Sequence, residues 1–145
     1  MPAVNPCLIF EGNAEEAVTF YQSVLGGDVR LVRYGDMGPA AADMPDAIKN
    51  RVAYSGVTVP GGDIIMCMDC PPDQKVSFAD AGYSVSIEAD SAAEAERYFT
   101  ELSAGGQVFM PFGKTEWADA FGMLVDKFSI SWMIGYTGSG GTMSL

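Results

Sequence analysis

Apolar side chains recur along this chain with two different periods, and the periods alternate. In "GNAEEAVTFYQSVLGG" the residues Ala17, Phe20, Tyr21 and Val24 fall at i, i+3, i+4 and i+7, one face of a helix. Ala95, Tyr98, Phe99 and Leu102 repeat that spacing in "DSAAEAERYFTELSAGG". Asn13 with Glu16, and Ser91 with Glu94, read as capping boxes, in which cap oxygen and carboxylate each take an orphan amide. Gly26-Gly27 and Gly105-Gly106 stop the two helices, since glycine accepts positive φ. Around each helix the pattern changes to strands. "VNPCLIF" and "GYSVSIEA" precede them, and "DVRLVRYG" and "QVFMPFG" follow. "RVAYSGVTV" and "GDIIMCMD" then form a hairpin over Pro60-Gly61-Gly62, matched later by "FGMLVD" and "SISWMIGY". The pattern is β-α-β-β-β written twice, in modules at about residues 4–70 and 81–136, within one 145-residue domain. Helices this short persist only when packed, so each is expected to lie on a curved mixed sheet.

Three stretches escape both periods. Residues 35–50 are rich in Ala, Pro, Asp and Met, and a connection of that length is commonly functional or mobile. Residues 70–82 join the modules. Residues 137–145 have the Gly/Ser content of a flexible tail.

Composition narrows the partners. With 8 basic and 19 acidic residues the net charge is −11, and no Lys/Arg cluster occurs. Nucleic acid and anionic membranes are therefore poor partners, because both demand a cationic surface. No apolar run approaches the ~18 residues of a membrane span, and no signal peptide is evident. The three cysteines, Cys7, Cys67 and Cys70, then read as reduced thiols of a cytoplasmic protein. Cys67 and Cys70 have C-x-x-C spacing, but no second pair exists and the chain contains no histidine. The pair also ends a strand rather than opening a helix, so packing is the expected role.

The specific wording of the chain adds a resemblance. F-x-G-N-x-x-E-A-x-x-F-Y (from Phe10) and T-x-W-x-x-x-F-G-M-x-x-D-x-F (from Thr115), with "YGDM" and "GGDIIMCMD", resemble the PhnB-like branch of the vicinal-oxygen-chelate superfamily. That superfamily includes glyoxalase I, extradiol dioxygenases and bleomycin-resistance proteins. The resemblance spans residues 5–136 and implies an α+β fold: two β-α-β-β-β modules whose sheets curve around a cavity, assembled as a homodimer.

It also implies where a divalent metal would be held. The places matching the superfamily's ligands carry Pro6, Tyr54, Met66, Tyr83 and Met133. None is a histidine or carboxylate, so the standard metal site is expected to be lost and no cofactor is expected. What remains is an apolar and aromatic cavity for a small molecule. Its candidate binding residues are Tyr54, Tyr83, Glu116, Trp117 and Phe121. Buried tyrosine hydroxyls need partners, and Trp117 with Phe121 offers a stacking surface. Glu116 with Trp117 would suit a cationic aromatic ligand, and Arg51 is a candidate counter-charge when no ligand is bound. Met66 and Met133 are expected to fill the core. Ser129, where the family pattern favours glycine, should alter only a turn. Catalysis is left open. The alternatives are a divalent-metal enzyme acting on a small oxygenated substrate, or a methyltransferase, as family labels suggest. No glycine-rich cofactor fingerprint follows a strand here.

Overall fold

The computed structural model describes residues 2–71, 73–78 and 81–138. The chain divides into two compact units, Met1–Ser77 and Phe78–Leu145. In the first, the order is β1 (Cys7–Phe10), α1 (Ala14–Leu25), β2 (Asp28–Arg33), α2 (Asp46–Lys49), β3 (Val52–Thr58) and β4 (Ile64–Asp69). In the second it is β5 (Val85–Glu88), α3 (Ala92–Ser103), β6 (Gln107–Gly113), β7 (Ala120–Val125) and β8 (Ser131–Tyr136). The sheets have the same plan, β1-β4-β3-β2 and β5-β8-β7-β6. In each, the outer pair β1·β4 or β5·β8 is parallel and the other pairs are antiparallel. The fold is thus α+β with a duplicated four-stranded mixed sheet.

Each sheet buries one face beneath its helix. In the first unit Leu8, Phe10, Val57, Ile65 and Cys67 are buried with Ala17, Val18, Tyr21 and Val24. In the second, Leu124, Trp132 and Ile134 meet Ala95, Phe99 and Leu102. Burying each large side chain contributes roughly 1.5–3 kcal/mol before entropy is counted. Gly122 belongs to this layer, because a Cβ there would lie 2.6 Å from the Phe99 ring. The helix faces are turned slightly from the expected ones. Phe20 and Tyr98 are only half-buried, while Val18 and Leu25 complete the first core.

The paired glycines have separate tasks. Gly26 and Gly105 take φ of 75° and 77° and end the helices. Gly27 and Gly106 let the chain pass close to a neighbouring strand. A Cβ on either would lie 1.9 Å from the Thr58 carbonyl oxygen or 2.1 Å from that of Val125.

Several expectations change on contact with the fold. Asn13 makes no side-chain cap. The buried Asp69 does so instead, its Oδ1 accepting from the Gly12 and Ala14 amides at 2.8 and 3.0 Å. Its Oδ2 accepts from Val52 N at 2.8 Å, which ties the start of β3 to the same carboxylate. At α3 the box forms in a shifted way. Ser91 Oγ accepts from Glu94 N as expected, but Glu94 Oε1 accepts from Asp90 N rather than from Ser91. The opening strands are shorter than the alternation suggested, because only Cys7–Phe10 and Val85–Glu88 pair with β4 and β8. The segment 35–50 is folded. It holds two short 3-10 turns and α2, and its base is closed by Tyr34 N–H donating to the Arg51 carbonyl at 3.0 Å. Of the expected tail, residues 139–145 lie outside the described residues.

Candidate functional site

The face of each sheet away from its helix is where small-molecule chemistry could be placed. In the first unit this face carries Cys7, Ile9, Val32, Tyr54, Met66 and Met68, all exposed or half-buried. Burial raises the Cys7 thiol pKa above its ordinary value. Tyr54 is 43% exposed. In the second unit, strand alternation puts Phe121, Met123 and Val125 of β7 on this face, with Ser131 and Met133 of β8. A Cβ built on Gly135 would sit 3.1 Å from the Phe121 ring, so that ring lies across β8.

A cavity of about 460 Å³ opens on this face of the second unit. It is lined by Met123 and Val125 of β7, Ser131 of β8, Phe109 of β6, and Phe78 and Ala81. Ser129, in the β7–β8 turn with φ of 70°, also lines it. Asp126 shapes that turn. Its buried carboxylate accepts from the amides of Phe128 and Ile130 at 2.8 and 3.0 Å and from the Trp132 indole at 2.8 Å. Ser131 Oγ lies 3.2 Å from Ser84 Oγ.

The five residues singled out from sequence are dispersed over both units. Trp117 and Phe121 come together, ring centroids 5.5 Å apart and nearly edge-on at 74°. Phe121 is buried and Trp117 half-buried. Glu116 is exposed in the connection between β6 and β7. Tyr83, just before β5, is 50% exposed, and burial of the rest of the ring raises its pKa. None of the five lines the cavity. Arg51 is engaged within its own unit, beside Gly12 and donating to the Cys70 carbonyl at 3.3 Å. Cys67 and Cys70 are buried, the latter with Sγ 3.5 Å from the Gln74 carbonyl oxygen. Met66 and Met133 are half-buried on the faces away from the helices, not in the cores beneath them.

Reading the residues alone missed Phe78, Phe109, Met123 and Ser131 as a group. The β7 part was available, since Phe121, Met123 and Val125 alternate. The rest depends on how the segment around Phe78 returns to the sheet.

Residues 2–135 match the family described as 3-demethylubiquinone-9 3-methyltransferase. The chain belongs to that family. Protein PA1353 from Pseudomonas aeruginosa has 36% identity to it, with 94% of this chain and 98% of that one covered and a TM-score of 0.82. A putative 3-demethylubiquinone-9 3-methyltransferase, PhnB protein, from Bacillus cereus has 28% identity over 93% and 99% of the two chains, TM-score 0.72. Protein YjdN of Escherichia coli K12 is 31% identical across 90% of this chain and 92% of its own. These matches place the chain in the PhnB-like branch of the vicinal-oxygen-chelate superfamily. The wider architecture is shared with a glyoxylase/bleomycin resistance protein/dioxygenase domain.

The side chains at the places where the resemblance sets the superfamily's metal ligands are not that metal's usual donors. Met66 and Met133 offer thioethers, Tyr54 and Tyr83 phenols, and Pro6 no side-chain donor, whereas divalent metals in such sites take imidazole and carboxylate. Among the described residues no three His, Cys, Asp or Glu side chains come together as a ligand set. Among them, too, no helix is long and apolar enough to cross a membrane.

Proposed function

We propose that this protein binds a small molecule on the face of the second sheet away from α3. The cavity between Phe78, Phe109, Met123 and Ser131 is the observation that carries this reading. Its volume and apolar lining are those of a small-ligand site, with a few polar groups to orient the guest. Phe121 continues the apolar stripe of Met123 and Val125 along β7, and with Trp117 against its ring it is taken as an extension of the proposed site. Tyr83 and Glu116, of the same unit, are proposed as further contacts of this ligand, to be checked by Tyr83→Phe and Glu116→Gln, and Tyr54 is proposed as a ligand contact on the open sheet face of its own unit, to be checked by Tyr54→Phe. Among the described residues no carboxylate lines the cavity to hold the ribose diol of a nucleoside methyl donor.

Thermal-shift screening of small apolar and aromatic compounds tests the reading. A ligand at ~100 times its Kd stabilises by about 2.7 kcal/mol, a readily measured rise in Tm. Met123→Trp, which fills the cavity, should abolish that rise. If the rise survives in Met123→Trp, the ligand sits elsewhere. The homodimer and the cytoplasmic setting belong to the same proposal. Sedimentation velocity giving about twice the 15.4 kDa chain mass checks the first.

A further inference from the structure

We infer that the open face of the first sheet is a site for a soft monovalent metal ion of the Cu(I) class, held by the Cys7 thiolate and the thioethers of Met66 and Met68. The inference concerns the first unit and does not depend on the small-molecule cavity.

Strand register places the three sulfur-bearing residues side by side. Cys7 of β1 and Met66 of β4 are direct partners in the parallel pair, and Ile9 and Met68 are the next partners on the same face. Neighbouring strands lie about 4.8 Å apart, and residues two positions apart on a parallel strand are about 6.6 Å apart. A methionine sulfur, carried on an unbranched chain with three rotatable bonds, reaches across such gaps. Met66 leans over Gly56, where a built Cβ would lie 3.9 Å from its Cγ. With only hydrogen on Gly56, no side chain there pins the thioether, and it can turn towards Cys7. Solvent reaches the group, since Cys7 is exposed and the two methionines are half-buried. Cys67, between the methionines, points to the helix side and is buried, as is Cys70.

Donor chemistry chooses the ion. Thiolate and thioether are soft donors, which favour Cu(I) over hard cations. Zinc takes thiolate, imidazole or carboxylate, and this set offers it a single thiolate. The chain has no histidine to add imidazole. Met66 is thus no usual donor for the superfamily's metal, yet with Cys7 and Met68 it makes a coherent set for a different ion. Binding exchanges one bond for another. The Cys7 S–H gives its proton to water, a metal–sulfur bond forms, and no electron changes hands. Burial raises the Cys7 thiol pKa, so the thiol carries its proton at neutral pH. Each ion bound should then release one proton.

The test is anaerobic competition for Cu(I) against bicinchoninate, whose coloured complex fades as the protein takes the ion. The full chain should take one equivalent, release one proton per ion, and keep the ion in excess Zn(II). Cys7→Ser should abolish the transfer, and Met66→Leu and Met68→Leu should each weaken it at least about tenfold. Ag(I), a redox-inert stand-in, should protect Cys7 of the unsubstituted protein from iodoacetamide, a readout that needs no variant to fold. No transfer to the unsubstituted protein, or no protection of Cys7, overturns the inference. Full uptake by Cys7→Ser, or uptake without proton release, shows that Cys7 is not the ligand and overturns it too. Undiminished uptake by either methionine variant overturns the three-sulfur set. Displacement by Zn(II) overturns the choice of ion.

Discussion

Two buried aspartates, one in each unit, show how much a single side chain can organise. Asp69 ends β4 on the helix side of its sheet, where period two from Ile65 and Cys67 puts it. Its carboxylate satisfies three backbone amides there, and its own carbonyl oxygen accepts from the Tyr34 hydroxyl at 2.9 Å. Burial raises the Tyr34 pKa, as do the neighbouring Asp69 and Cys70 charges, while Arg51 pulls the other way. A tyrosinate would lose the donated hydrogen. Because the folded pKa is the higher one, this stabilisation is whole below the ordinary tyrosine value of ~10. It is lost as pH rises through the raised value. Denaturant melts between pH 9 and 11 should therefore show a steeper alkaline decline for the native protein than for Tyr34→Phe. Parallel declines would mean that the hydroxyl bond has no weight in stability.

The helices extend the same contrast to a larger element. From sequence, α1 and α3 look alike, each with a capping residue and a carboxylate three positions on. Structure separates them. Ser91 caps α3 with its own hydroxyl, whereas α1 is capped from β4 by Asp69. Ser91→Ala should cost about 1 kcal/mol, and Asn13→Ala less than ~0.5 kcal/mol. Asp69→Ala should exceed both, since it leaves three amides without their acceptor. Urea midpoints of the three variants measure this. Equal losses for Asn13→Ala and Ser91→Ala would restore the symmetric reading. The repeated apolar spacing, the glycine pairs and the succession of helices and strands were legible in the chain because they depend on neighbours within one element. The identity of the α1 cap was not, because Asp69 is brought to it by the parallel pairing of β1 with β4.

Across the molecule, two units repeat one topology but differ in what their open sheet faces carry. The cavity described above opens on the face of the second. Among the described residues neither face gathers three His, Cys, Asp or Glu side chains into a ligand set. Tag-free protein purified without chelator and then offered Ni, Zn, Mn or Fe(II) should retain no stoichiometric metal. Chelator should likewise leave Tm unchanged. One equivalent of tightly held metal would redirect attention to carboxylates and to Tyr54. At this scale the candidate site was legible in part. Trp117 and Phe121 were marked as a stacking pair, and they do touch. Glu116 and Tyr83 were marked by residue type alone, which carries no information about which surface they share.

The sequence by itself determined the duplicated run of helices and strands, the helix faces to within a small rotation, the turns that require glycine, and the lack of imidazole. All follow from local periodicity, backbone sterics and composition. Only the tertiary structure decided that a strand aspartate caps the first helix and that 35–50 folds into helical turns. It also decided that Phe78, Phe109, Met123 and Ser131 line one open cavity. Those facts depend on which distant segments meet, and a one-dimensional pattern does not hold the distances between them.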